Sequence, residues 1–371
     1  MTSSPRFFIP VFLALISCAP AWAQRDPWMA SNSASKNASG NLAPILDPEA
    51  NKFFVQGKYD SAIDVSQKAL LAAERSRGPD DPAVAVALNR IADCYRMQGR
   101  YERAEPLYVR ALAIREKAFG PAHPWVSQTL TNFGLLRTVQ GRYAEAEALL
   151  KRSLAIREGV RGPNHPAVGS SLAALATLYE IEGHPAESES VLKRSLAIME
   201  NFHGAGHPEV ANVLNNLAAV YAIEHRFPES EAAYKRSLAI WEKAYGPNHP
   251  LASVQLTGLA GVYRDEGRLE EAAGLYKLAT SLIDDSLDRG HPRMADSLAG
   301  IASVYALRGE FDDAVALYRQ ALRVREESLG PNHPDTVRTL EALSEVYFKL
   351  NQPLEAEKLE ARALEIRTMK R

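Results

Sequence analysis

A proline preceded by histidine or aspartate returns every 42 residues, at Asp81-Pro82, His123-Pro124, His165-Pro166, His207-Pro208, His249-Pro250, His291-Pro292 and His333-Pro334, with no insertion or deletion between copies. A strict period of this length specifies a repeat array, in which each copy buries its apolar face only by stacking on its neighbours. The spacing inside a copy is helical. In the fourth, Leu214, Leu217, Ala218 and Tyr221 recur at three- and four-residue steps. After a break at His225 and Arg226, Ala233, Tyr234, Ser237 and Leu238 do the same. Each copy is therefore two helices joined by a short turn.

Three columns run through the array. Leu88, Leu130, Leu172, Leu214, Leu256, Leu298 and Leu340 form an unbroken apolar stripe. Four residues on, Ala92, Gly134, Ala176, Ala218, Ala260, Ala302 and Ser344 are small enough for close helix contact. Three further lie Tyr95, Tyr179, Tyr221, Tyr263, Tyr305 and Tyr347, with Arg137 the one exception. First helices are expected near 82–98, 124–140, 166–182, 208–224, 250–266, 292–308 and 334–350, and second helices from about 101, 143, 185, 227, 269, 311 and 353. A shortened copy whose first helix is truncated precedes them. Gly99, Gly141, Gly183, Gly267 and Gly309 stand where the first helices end in a left-handed residue. His225 and Asn351 take that place in two copies.

The sequence of Leu, then Leu or Ile, Ala, Tyr, Gly, Ala, aromatic or Leu, and Ala or Ser resembles the tetratricopeptide-repeat signature. The general family repeats at 34 residues. Here eight more lengthen the second helix and its exit loop into segments such as RSLAIREGVRGPNHP, and in this the chain is similar to kinesin light chains and their bacterial relatives. The resemblance spans residues 47–371. It implies an all-α, right-handed α-solenoid that acts without catalysis or cofactor and holds a protein or peptide partner in its concave groove. The fold alone names no ligand.

Ahead of the array, Arg6, the apolar run Phe7 to Ile16 and the ending Ala21-Trp22-Ala23 read as a secretory signal over residues 1–23. Leu15-Ile16-Ser17-Cys18 also resembles a bacterial lipobox, so two outcomes stand: cleavage after Ala23, which AWAQ favours, or lipidation at Cys18. Both place the protein outside the cytoplasm, in a bacterial periplasm or on its membrane surface, with membrane attachment only in the second. Residues 24–46, rich in Ser, Asn and Ala, read as a flexible linker. With 43 basic and 45 acidic residues, the chain lacks the basic excess of a nucleic-acid binder.

Few residues invite chemistry. Six histidines sit on the 42-residue ladder, but equivalent atoms in stacked helices lie about 8–10 Å apart, whereas zinc ligands each lie about 2 Å from the metal. His123, His165, His207, His249, His291 and His333 are instead expected to shape the turn before each helix. Cys94 shares its column with Leu136, Leu178, Val220, Val262, Val304 and Val346 and is expected in the core. No phosphate loop, nucleophile elbow or HExxH is present, and no metal or cofactor is expected. Glu360 replaces the tyrosine of Tyr234, Tyr276 and Tyr318, giving the last helix the polar outer face of a cap.

What remains is the inner face of the first helices. Counting around them from the Leu column puts a set of residues on the solvent side of a concave wall, among them Asp296, Arg338 and Glu345. The middle of the wall is small and uncharged. The candidate peptide-binding groove comprises Asn89, Asn132, Ala173, Asn215, Asn216, Ala219, Ala222, Gly261 and Arg264. Kinesin light chains contribute asparagines to a cargo-peptide groove from a similar NNLA segment. Asn215-Asn216-Leu217-Ala218 matches it fully, whereas Thr131-Asn132, Ala173-Ala174, Thr257-Gly258 and Ala299-Gly300 have lost one or both amides.

Overall fold

The structure is a computed structural model that describes residues 47–286 and 290–369. The expected signal segment, the lipobox and the linker lie outside the described residues. The first helix of each pair is α1 (Pro48–Val55), α3 (Pro82–Met97), α5 (Pro124–Val139), α7 (Pro166–Glu182), α9 (Pro208–Ile223), α11 (Ala252–Asp265), α13 (Pro292–Arg308) and α15 (Pro334–Lys349). The second helices are α2 (Tyr59–Arg77), α4 (Tyr101–Phe119), α6 (Tyr143–Arg161), α8 (Pro185–His203), α10 (Phe227–Tyr245), α12 (Leu269–Ser286), α14 (Phe311–Leu329) and α16 (Pro353–Thr368). Each helix packs on the one before and the one after it, and each first helix from α5 to α15 also touches the first helix of the preceding pair. The result is the all-α solenoid that the period requires.

The histidine ladder is a set of helix caps. In His123, His165, His207, His249, His291 and His333, Nδ1 accepts the N–H of the second following residue at 3.1–3.3 Å, and Asp81 does the same through a carboxylate oxygen at 2.8 Å. Such a cap satisfies one of the donors that a helix start leaves without a partner. It requires a neutral imidazole, and burial holds His123, His207 and His249 below the usual imidazole range. In the fifth unit α11 starts two residues later than expected, because Pro250 and Leu251 form a turn that His249 closes from its side chain.

The columns form the core. Leu88, Leu130 and Leu340 are fully buried, as are Ala92, Ala218, Ala260 and Ala302. Arg137, out of place in the tyrosine column, is buried yet makes a two-pronged pair with Glu105 at 2.5 and 2.6 Å and lies over the Phe133 ring. Such a geometry compensates the charge for leaving water. Acidic residues pair between units as well as within a helix. Glu231 accepts from Lys235 at 2.6 Å, from Tyr263 at 2.8 Å and from Arg268 at 3.0 Å, which together hold it down at about pKa 2. His225 and Asn351 adopt φ of 58° and 57°, the left-handed turn read from the sequence.

One feature of the packing has no counterpart in the linear pattern. The turn after α1 lies against the start of α13, and the turn after α3 lies against the start of α15. A Cβ added at Gly57 would sit 2.9 Å from Pro292 Cδ, and one at Gly99 would sit 2.9 Å from Pro334 Cδ. His291 Nε2 is 3.4 Å from the Val55 carbonyl, 236 residues away in sequence. Leu329, at the end of α14, completes a cluster with Phe54, Tyr59, Ile63, Cys94 and Met97. These contacts join units five or six apart, so the superhelix comes round onto itself within the chain.

This closure corrects the expectation of an open inner wall. Asn89, Asn132, Ala173, Asn215, Ala219, Ala222 and Arg264 are all buried, Gly261 is buried and Asn216 half-buried. Successive first helices lie directly against one another along a tightly curved interior, so the face counted as solvent-side covers itself.

Candidate functional site

Where the inner wall fails to close, it leaves two adjoining cavities in the last four units. The first, of about 100 Å³, is lined by Asn215, Ala219, Gly261 and Arg264 from the expected groove, and by Asp296 and Arg338 from the same wall. The second, of about 310 Å³, shares Arg264, Tyr318 and Ala342 with it and reaches His225, Asp265 and Glu345. Of the nine groove residues the structure thus gathers four. Asn216 and Ala222 lie on α9 outside the lining, Ala173 is packed into the core, and Asn89 and Asn132 belong to a separate network near α3 and α5.

Second helices build the cavity as much as first ones. Tyr234, Tyr276 and Tyr318 pass between neighbouring first helices and line it. Gly258 and Gly300 make this passage feasible, since a Cβ at either would lie 2.5 or 2.2 Å from the ring of Tyr234 or Tyr276. The first full unit shows the same arrangement with its polar ends satisfied. There the Tyr108 hydroxyl donates to Asp93 at 2.5 Å, and Asn132 Nδ2 donates to the other Asp93 oxygen at 3.2 Å. The position of Asp93 is taken by Ala219, Gly261 and Ser303 in the fourth to sixth units. Among the described residues, no protein group hydrogen-bonds the hydroxyls of Tyr234, Tyr276 and Tyr318.

The electrostatics follow from the same substitutions. Burial raises the ionisation range of all three phenols, which therefore remain protonated donors. Arg325 reaches Asp296 at 2.7 Å and Thr339. Arg264 is held by Asp265 at 2.7 Å. Arg338 titrates below its ordinary range because it is buried and because Arg325 is close to it. The Asn215 carbonyl oxygen is buried without a partner. A lining with three guanidinium groups, one carboxylate and three phenol donors offers polar partners to a ligand.

The sequence reading missed Tyr234, Tyr276, Tyr318 and Arg325, because they belong to helices assigned to the outer layer. A signal was present in Gly258 and Gly300, at a position that holds Arg, Asn or Ala in other copies. The described residues contain no group of three or more His, Cys, Asp or Glu able to hold a metal ion. No described helix is long and apolar enough to cross a membrane.

No curated protein sequence matches the chain. Among solved structures, the nearly identical TPR-like repeats of a Podosopora anserina kinesin light chain share 23% identity over 56% of this chain and 98% of that one, with a TM-score of 0.45. The bacterial kinesin light chain BtubC from P. vanneervenii shares 19% over 62% and 90%, at 0.48. A signal-transduction ATPase with a tetratricopeptide-repeat sensor from Pyrococcus horikoshii shares 17% over 85% of this chain and 46% of that one, at 0.55, a likeness of fold. Tetratricopeptide-repeat profiles match residues 52–117, 84–139, 125–201, 209–285 and 293–369. With its period, its paired helices and these profile matches over most of its length, the chain belongs to the tetratricopeptide-repeat family.

Proposed function

We propose that the protein is an exported interaction scaffold that holds a peptide segment of a partner protein against the inner wall of the third to fifth units. The family to which it belongs builds protein–protein interaction scaffolds, and Arg6, the Phe7 to Ile16 run and AWAQ support export. The observation that carries the location is Asn215. Its amide is buried in the wall with an unpartnered carbonyl oxygen, beside the small Ala219 and Gly261. An amide so placed has both a donor and acceptors for a peptide backbone. The lipobox-like Leu15-Ile16-Ser17-Cys18 supports a second form of the same reading, a membrane-tethered accessory of an envelope secretion or assembly machine.

Mass spectrometry of the mature N-terminus separates the two, giving Gln24 for a cleaved periplasmic protein and a lipidated Cys18 for a tethered one. An intact chain beginning at Met1 in the cytoplasm of the native host would refute both. Partners recovered from the cell envelope are then titrated against variants. Asn215→Ala should weaken binding a few-fold, since one neutral hydrogen bond is worth about 0.5–1.5 kcal/mol. Ala219→Leu, with its helicity verified, should weaken it further by filling the wall. Lys235→Glu, on the outer surface, should leave it intact. If Lys235→Glu abolishes binding and Ala219→Leu does not, the partner binds the outer face.

A further inference from the structure

We propose that the cavity bounded by α9, α11, α13 and α15 is a binding site for a small organic acid, a carboxylate that also carries a hydroxyl or amino group. This goes beyond the partner reading above and stands without it, because the ligand is a free small molecule.

Arg264, Arg325 and Arg338 line the first cavity beside one carboxylate, Asp296, with Asp265 and Glu345 in the adjoining one, and Arg325 is close enough to Arg338 to disfavour its charge. Like charges held together in a medium poorer in water than bulk solvent repel strongly. An anion seated between Arg325 and Arg338 relieves that repulsion and accepts charge-assisted hydrogen bonds. Tyr234, Tyr276 and Tyr318 supply three neutral donors buried to at least 97%. Leaving such groups without hydrogen bonds costs free energy. In the first full unit the same hydroxyl finds a carboxylate, Asp93. The later units have kept the phenols and replaced that carboxylate with Ala219, Gly261 and Ser303, so a carboxylate supplied by a ligand restores the pairing that Tyr108 has within the protein. Asn215 is 8% exposed and its side-chain carbonyl oxygen is buried without a partner, free to accept a hydrogen bond. An acid with a hydroxyl or amine satisfies it, whereas a bare carboxylate or phosphate ester dianion does not. The volume, about 100 Å³ opening onto about 310 Å³, suits a molecule of a few carbons and excludes a nucleotide.

The test is isothermal titration calorimetry of the purified full-length protein with L-malate and citrate, with glycerol and matched sodium chloride as controls. Saturable binding of malate or citrate is expected, with no saturable response to either control. Tyr276→Phe should weaken it about threefold or more, and Arg338→Met about tenfold or more, the loss of one neutral and one charge-assisted hydrogen bond respectively. Thermal melts of the free protein separate binding from folding. Tyr276→Phe should leave the melting temperature unchanged or raise it, because its hydroxyl has no protein partner to lose. Tyr108→Phe should lower the melting temperature and leave acid binding intact. The proposal is overturned by no saturable response to either acid, or by an equal response in Tyr276→Phe and Arg338→Met, which would place the acid elsewhere. An equal response to glycerol would overturn the anionic character. Binding only by a recovered partner, with no effect of free acids, would replace the small ligand with a protein-borne carboxylate.

Discussion

Gly99 and Gly141 occupy the same position in successive units, with φ of 68° and 73°, and differ in one respect. Beyond Gly141 there is open space within 4 Å, whereas a Cβ at Gly99 would meet Pro334 Cδ at 2.9 Å and His333 Cδ2 at 3.0 Å. Alanine at either site bears the cost of a left-handed backbone, about 1–2 kcal/mol, and restricts the unfolded chain to the same degree. Only at Gly99 does it also push into a pyrrolidine ring and a packed imidazole at the start of α15. Overpacking of this kind costs about 1–3 kcal/mol, so Gly141→Ala should lose about 1–2 kcal/mol and Gly99→Ala about 2–5 kcal/mol on adding the two costs. Urea denaturation followed by far-ultraviolet circular dichroism measures both. A second readout is the thiol of Cys94, in the cluster that Leu329 completes, which should react faster in Gly99→Ala than in Gly141→Ala. Equal destabilisation, within about 0.5 kcal/mol, would show that the first units do not rest on the last ones in solution.

Cys94 is fully buried, and burial pushes its thiol up to about pKa 12. It should resist thiol reagents in the native protein, and Cys94→Ser should cost about 1–3 kcal/mol by burying a hydroxyl among apolar groups; rapid labelling of a native Cys18→Ser protein would contradict its core position. Glu180 is buried with one hydrogen bond, from Ser188 at 3.4 Å, and burial raises its carboxyl from 4.5 to about 8. The native state therefore keeps a proton that the unfolded chain has released, so stability should fall as pH rises from about 4.5 to about 8 and level off above. Glu180→Gln should flatten that slope and stabilise the protein at pH 8, and a pH profile of urea midpoints identical to the parent's would refute it.

The sequence carried the fold because the array has a single rule applied repeatedly. Every first helix but α11 opens on Pro with His or Asp before it, every Leu column position is filled, and the left-handed turns at His225 and Asn351 were readable from the glycines they replace. The interior was less legible. Counting residues around one helix says which side faces inward, and Asn215, Ala219, Gly261, Arg264, Asp296 and Arg338 do meet there. It does not say how tightly the superhelix curves. That depends on small per-unit rotations accumulated over six copies, to which no single column testifies. Tyr234, Tyr276 and Tyr318 were hidden for a related reason: whether a second-helix ring stops in the core or passes through it depends on the residue opposite in the next unit.

The contact between the first and last units changes how such an array comes apart. A linear solenoid with only nearest-neighbour interfaces can fray from either end, one unit at a time, each loss leaving the remainder as stable as before. Here the shortened first copy rests on unit six and unit one on unit seven, so neither end of the array is free. Peeling α15 and α16 away strips the cover from Gly99, and loss of α1 and α2 uncovers the start of α13. Both ends are thereby tied into one cooperative block. The link spans 236 residues, and the entropy of closing so long a loop grows only logarithmically with its length. The same separation raises the contact order, so the closing step should come late and slowly in folding, after the units between have formed.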